Sequence, residues 1–353
     1  MRVSSLARRL RSRPIAWTQA GSTFVTLALL LAVFSITQSV FLSDRNWEDI
    51  GRSYFTELGL LTVAQTIVLL TRGIDLSVAA TLALSAVTLG KLHVDAGLSI
   101  WLAIAGALAV GLGAGLLNGL LVVRLRLSPI VATLATLTLY RGISLGLTRG
   151  RNLGPYPESL QKLGQGNVGG IPTQAFVLLV VAVVVAIVLR RTMTGRWIYA
   201  TGGNERAARL AGIPTGRIVI GVYAAAGLIA AIAGIVAAAR FNTARSDFAD
   251  GSELDAITAA ILGGVSIAGG RGSVVWALVG ALCLAVLRNG MTLLNYSGFI
   301  QIVVIGLILL AAVLADRMVT RLRVRREIST LIEHGRPHPP GFVGNAEQGG
   351  TLS

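Results

Sequence analysis

The sequence predicts an all-α integral membrane protein with about ten transmembrane helices, some of them broken, and a possible internal repeat. Three observations carry this. Of 353 residues, 54% are hydrophobic and 13% charged, where a soluble domain has about a quarter charged, and mean hydropathy is +0.73. Apolar runs of roughly 18 residues or more, the length a helix needs to cross ~30 Å of hydrocarbon, recur from residue 17 to residue 316. Basic and acidic residues fall in alternate connections between these runs, as they do when a membrane separates the two sides.

Taken in order, residues 1–16 form a basic tail (Arg2, Arg8, Arg9, Arg11, Arg13). The run 17–42 that follows is too long for the ~7–15-residue apolar core of a secretory signal, and no small-residue cleavage site stands out, so it reads as an uncleaved first span. Further segments are expected at 54–71, 74–92, 98–122, 129–148, 173–190, 215–239, 255–270, 273–294 and 298–315. Residues 17–316 thus make one transmembrane domain, followed by a basic tail over 317–353. Beyond Arg326 that tail is polar, rich in Gly and Pro, and expected to be disordered.

Two junctions differ from ordinary loops. The second and third segments are separated only by TRGIDLS, and the eighth and ninth only by GGVSIAGGRGS. Non-helical backbone at membrane depth is tolerated where protein buries it or where it lines a wet cavity. Similar breaks in the two halves are the basis for the possible repeat. Within 98–122, Gly111, Gly115 and Gly119 fall on one helix face, which predicts close packing of a second helix there.

With the N-terminus cytoplasmic, the inside connections hold Arg124 and Arg126, then Arg190, Arg191, Arg196, Arg206, Arg209 and Arg217, then Arg317 to Arg326. The outside connections hold Asp44, Glu48, Asp49, Asp95, Glu158, Asp247, Asp250 and Glu253. Basic residues resist translocation, so this separation predicts an even number of spans with both termini cytoplasmic. It also explains a net charge of +15, with 29 arginines among 31 basic residues, without a nucleic-acid partner.

Several chemistries lack residues to carry them. No G-x-x-x-x-G-K-[ST] phosphate loop occurs, so ATP hydrolysis by that route is excluded. The single Cys283 permits neither a disulfide framework nor a thiolate metal site. His334 and His338 lie in the tail and His93 at a span end, so neither a metal cluster nor a Ser-His-Asp set can be proposed. No catalytic residue, metal or bound cofactor is expected.

Four blocks are more specific: GIDLS at 73–77, GLLNGLLVVRLRLSPIVATLATLTLYRGISLGLTRG at 115–150, GRWIYATGGNERAARLAGI at 195–213 and ELDAITAAILGGVSIAGGRGS at 253–273. In this order and spacing they resemble the ribose-type sugar permeases of the ABC importer superfamily, over nearly all of the membrane domain. The branched-chain amino-acid permeases share that superfamily, but GIDLS followed by the GGN loop looks more like the sugar branch. The resemblance implies that this subunit forms the pathway in the plasma (inner) membrane and a second permease subunit, identical or related, pairs with it. It implies also that a cytoplasmic ATPase consumes ATP and that an extracytoplasmic binding protein delivers the solute.

The loop 194–216 is the candidate contact with that ATPase, through Gly195, Arg196, Tyr199, Gly202, Gly203, Asn204, Glu205, Ala207, Ala208, Arg209 and Gly212. Asn204 can cap a short helix with Glu205 near its positive end. A β-branched residue at Gly203 is expected to spare insertion but uncouple hydrolysis from transport. The alternative is a basic loop that only sets orientation.

Candidates for the solute pathway or for helix packing are Asp75, Ser77, Asn118, Thr133, Arg141, Gly263 and Gly264, with Thr136 beside them. A carboxylate at membrane depth costs about 2.5–3.5 kcal/mol on insertion scales, so Asp75 requires a cavity, a partner or a capping role; Ser77 could assist a cap, and Arg72 could pair with it. Arg141 carries the same cost and could pair with an acid or with carbonyls. The scarcity of charge within the spans fits a neutral polar cargo, a pentose, hexose, polyol or furanosyl signalling molecule, better than a metal ion. An ion-coupled secondary transporter is the alternative, although it would be expected to present more intramembrane acids. A scaffold or receptor would need a sizeable soluble domain, and none is present.

Overall fold

A computed structural model describes residues 14–335. Residues 1–313 form one unit and 314–353 another. The account below concerns the first; of the second, the described part is the continuation of the last helix.

Thirteen helices follow one another along the described chain: α1 (Pro14–Thr37), α2 (Asp44–Leu70), α3 (Val78–Asp95), α4 (Ile100–Val123), α5 (Pro129–Thr148), α6 (Glu158–Gln165), α7 (Thr173–Arg191), α8 (Met193–Gly203), α9 (Glu205–Leu210), α10 (Thr215–Phe241), α11 (Ser252–Leu262), α12 (Val274–Leu293) and α13 (Gly298–Gly335). A two-residue antiparallel hairpin, Asn167–Val168 with Ile171–Pro172, sits between α6 and α7. Eight helices are long and apolar enough to span a membrane: α2, α3, α4, α5, α7, α10, α12 and the part of α13 from Gly298 to Met318. α1 adds an apolar stretch, Thr23–Thr37.

Boundaries follow local chemistry. Pro129 occupies the first turn of α5, where its missing N–H costs nothing, and Arg149 ends that helix in the left-handed conformation. α2 starts ten residues before the expected 54, because the Ser43 hydroxyl caps the polar turn that begins at Asp44.

One expectation is corrected. The eighth segment, 255–270, is not one continuous helix. α11 has 11 residues, about 16 Å at ~1.5 Å per residue. It stops at Gly263, and Gly264, Gly269, Gly270 and Gly272 all take positive φ, so the apolar run continues as a folded turn. α13 continues beyond the expected span end at 315 to Gly335, with neither Gly nor Pro between 317 and 334. Residues 336–353 and the first thirteen lie outside the described residues.

α2, α3 and α10 are the most buried spans and form the centre of the unit, whereas only 28% of α5 and 22% of α7 are covered within the chain. The glycine face of α4 packs on α10 as predicted: a Cβ at Gly115 would run into the Tyr223 carbonyl, and one at Gly119 would fall 2.8 Å from the Ile220 Cα.

Candidate functional site

The two breaks meet. α2 ends at Leu70, and the chain turns through Thr71 and Arg72, the latter at φ 65°, before α3 begins. The second break, 263–273, folds against that turn, with the Gly270 N–H donating to the Leu70 carbonyl at 2.9 Å. Onto both of them docks the C-terminal end of α8. Arg72 Nε donates to the Gly202 carbonyl and Arg72 Nη2 to the Gly203 carbonyl, each at 2.6 Å. These are terminal helix carbonyls without an intrahelical partner, and a guanidinium there also complements the helix dipole. Tyr199 Oη donates to the Gly272 carbonyl at 2.9 Å, which fastens α8 to the far side of the second break. Burial raises the Tyr199 phenol pKa, so the group remains a donor at neutral pH.

Close backbone approach makes this clasp possible. A Cβ on Gly202 would overlap the Leu70 carbonyl and lie 2.6 Å from the Gly270 nitrogen. Gly270, at φ 67°, faces the Gly203 backbone equally closely. Gly203 itself has open space where a side chain would stand. Within this chain the position where a side chain would collide is therefore Gly202.

The remaining loop residues build two short helices. Thr192 caps α8 through the Gly195 N–H at 3.2 Å, and Gly195 packs against the Leu189 carbonyl. Asn204 Oδ1 accepts from the Ala207 N–H at 3.1 Å, the cap read from the sequence, and starts α9. Glu205 and Arg209 pair along α9 at 2.5 Å, Ala208 turns inward, and Gly212 ends the turn at φ 79°. Arg196 and Ala207 are exposed.

Directly beneath the clasp, four of the pathway candidates form one buried network. Asp75 Oδ1 accepts from the Ser77 N–H at 2.9 Å and the Ser77 hydroxyl at 2.7 Å, an arrangement that caps the entry to α3. Ser77 Oγ accepts from Asn118 Nδ2 on α4 at 2.7 Å, and Tyr140 Oη on α5 donates to the Ala114 carbonyl at 2.9 Å beside it. Thr133 Oγ1 accepts from the Leu76 N–H and also reaches the Ile74 carbonyl, both at 3.1 Å; Thr136 bonds back to the Ala132 carbonyl within α5. With its amide oriented to satisfy both groups, Gln65 on α2 pairs with the backbone of Asp75 at 3.1 and 3.3 Å. The break is thereby fixed to α2, α4 and α5. Arg72 does not pair with Asp75; the α8 carbonyls take it.

The other candidates lie elsewhere. Arg141 donates to the Ser246 carbonyl at 2.6 Å and the Phe248 carbonyl at 3.1 Å, and reaches Asp250 at 3.3 Å, holding the loop after α10. Gly263 packs under the Trp276 carbonyl of α12, and Gly264 takes the turn at φ 82°. Sequence reasoning missed Arg72, Gly269 and Gly270 as partners of the loop. Their signal was present as the short Gly-containing breaks, but nothing local announces that residues 72, 202 and 270 meet. Among the described residues no group of three or more His, Cys, Asp or Glu is placed to hold a metal.

A bundle of apolar spans broken at two points, with short helices docked on both breaks, defines a multi-pass membrane permease. A family model described as the permease component of the branched-chain amino acid transport system matches residues 51–313. The chain is 39% identical over 296 residues to the ribose import permease protein of Bacillus subtilis, covering 83% of this chain and 91% of that relative. It is 36% identical to the L-arabinose transport system permease protein of Escherichia coli over 301 residues (85% and 91%), and 37% identical to the autoinducer 2 import system permease protein of Yersinia enterocolitica over 304 residues (85% and 84%). No solved structure gives a significant match. The chain belongs to this family, the permease components of ABC importers.

Proposed function

We propose that the chain is the membrane-spanning subunit of an ABC importer that carries a small neutral sugar or sugar-like solute inward. The observation that carries the reading is similarity over more than four fifths of the chain to permeases named for ribose, L-arabinose and autoinducer 2 import. The scarcity of charge within the spans supports a neutral cargo. In this reading the face bearing α8 and α9 is cytoplasmic, as are both termini, and a separate ATPase binds there and consumes ATP. An extracytoplasmic protein delivers solute to the opposite face, and a second permease subunit covers part of the apolar surface left open on α5 and α7. The chain itself performs no catalysis and holds no nucleotide.

The clasp supplies a route for the work. α8 is bonded to Arg72 of the first break and to Gly272 of the second, and the Gly270 N–H joins the second break to the Leu70 carbonyl, so displacement of α8 by an ATPase moves both helix breaks together. Non-helical turns in a bundle bend more readily than its helices, and the solute path opens or closes there.

The test is co-purification from detergent-solubilised native membranes, followed by uptake of labelled ribose and L-arabinose into proteoliposomes holding the recovered complex. Recovery of an ATPase with a phosphate-binding loop and ATP-dependent uptake is expected; repeated recovery of the chain without one contradicts the reading.

A further inference from the structure

Two acids among the described residues are almost completely enclosed, Asp75 at 2% exposure and Asp255 at 5%. Asp255 meets the Arg288 guanidinium at 2.5 Å, whereas no cation lies within ion-pair distance of Asp75. Arg72, three residues before it in the chain, directs its guanidinium to the Gly202 and Gly203 carbonyls instead. The elements packed around Asp75 present neutral groups: Gln65 from α2, Ser77 at the entry to α3 and Asn118 from α4. The titratable groups that feel its charge are two phenols, Tyr140 of α5 and Tyr223 of α10.

A carboxylate enclosed in this way gives up its hydration without gaining a counter-charge. The two Ser77 bonds and the positive end of α3 favour the ionised form, but each is a small term beside the desolvation of a whole charge. Burial accordingly pushes the Asp75 carboxyl above its usual range, with Ser77 and Asn118 pulling the other way. Water is close at hand. Thr71, Arg72 and Gly73 line a cavity of about 760 Å³ between the start of α10, the end of α4 and the α8–α9 junction. Asp75 lies two residues further along the same break and is buried. The turn is packed tightly there, for a Cβ on Gly73 would lie 2.6 Å from Tyr223 Oη.

We propose that Asp75 holds a proton in this closed packing of the first break and releases it when the break is displaced. Movement of α8 acts on Arg72 and so on the turn that separates Asp75 from the cavity. Once water reaches the acid, its O–H bond breaks, the electron pair stays on the carboxylate and the proton passes to water on the cavity side. It returns from the same side on closure, so no net proton crosses with a solute. The closed break holds the proton more tightly than the open one. From the ordinary carboxylate value of about 3.9 up to the closed-state value, each rise of one pH unit therefore shifts the equilibrium toward the open break by up to about tenfold. Below that window both forms keep the proton, above it neither does, and the dependence ends.

The tests use the purified full-length chain in nanodiscs and need neither cargo nor ATPase, so they stand apart from the transport reading on which the role of opening rests. Infrared spectra are taken near pH 6, about two units above the ordinary aspartate value, with and without carboxyl-13C aspartate. A carboxylic-acid C=O band that moves with the label and is missing in Asp75→Asn is expected. The absence of any label-sensitive acid band overturns the proposal without recourse to a variant. So does a band that survives at full strength in Asp75→Asn, which assigns it to another aspartate. Release on opening is read from hydrogen exchange of residues 71–77, corrected for the intrinsic pH dependence of exchange, at roughly pH 6 and pH 8. Protection in the unsubstituted chain is expected to fall as pH rises, by up to about tenfold per unit, and in Asp75→Asn, whose amide cannot ionise, to stay constant. The same pH dependence in both chains overturns the release.

Discussion

The guanidinium of Arg72 donates to the carbonyls of Gly202 and Gly203 at 2.6 Å each, joining the end of one transmembrane helix to the end of a short helix about 130 residues later. The bond is bidentate in effect: two donors of one planar group take two successive acceptors. A lysine offers a point charge and cannot span both. Arg72→Lys is expected to lower transport while preserving insertion, and Arg72→Gln to lower it further, with a loss of about 1–2 kcal/mol at the clasp for a partly exposed charged pair of bonds. Protease sensitivity of the α8–α9 connection should rise in the same order, which limited proteolysis of the reconstituted protein measures.

The Asp75 network separates a capping role from a role for charge. Asp75→Asn keeps an Oδ1 acceptor for both Ser77 bonds, whereas Asp75→Ala removes it. The account predicts near-normal stability for the first and a loss of about 1–3 kcal/mol for the second, since Ser77 and Asn118 would be left buried and short of a partner. Thermal unfolding in detergent distinguishes them.

Arg141 holds the loop after α10 mainly by carbonyls, for Asp250 is 77% exposed and contributes a weak surface pair. Asp250→Asn should therefore change little, within about 0.5 kcal/mol. Arg141→Gln should free residues 243–251, visible as faster proteolysis or hydrogen exchange in that loop.

Orientation is testable with single cysteines in a Cys283→Ser background. Leu210→Cys, on the 91% exposed side chain at the end of α9, and Val168→Cys, in the exposed hairpin after α6, should react with impermeant maleimide from opposite sides of right-side-out vesicles. Only the second is expected to label from outside.

Much of the helical layout was legible in the residues. The segment 129–148 is observed as Pro129–Thr148, because a proline at its start and a Gly-containing turn at its end are local signals. The end of the eighth segment, drawn at 270, falls at Leu262, because hydropathy counts Val265 and Ile267 as readily in a turn as in a helix, and only the positive φ of Gly264, Gly269 and Gly270 separates the two. The Asn204 cap is written in adjacent residues and could be read from them. The clasp could not be: Arg72, Gly202 and Gly270 are far apart in the chain, and each alone looks like an ordinary turn residue. Gly203 stands next to Gly202 in the sequence, and only the packing of Leu70 decides which of the two cannot carry a side chain.

The most direct measurement is uptake per ATP hydrolysed by Gly202→Val and Gly203→Val, each reconstituted with its ATPase and binding protein. A side chain at residue 202 must displace the Leu70 carbonyl or the Gly270 N–H, an overpacking cost of about 1–3 kcal/mol that opens the clasp, while one at residue 203 meets open space. The account predicts continued hydrolysis with uptake reduced about tenfold or more for Gly202→Val, and near-normal coupling for Gly203→Val. Equal uptake per ATP in the two variants would contradict it.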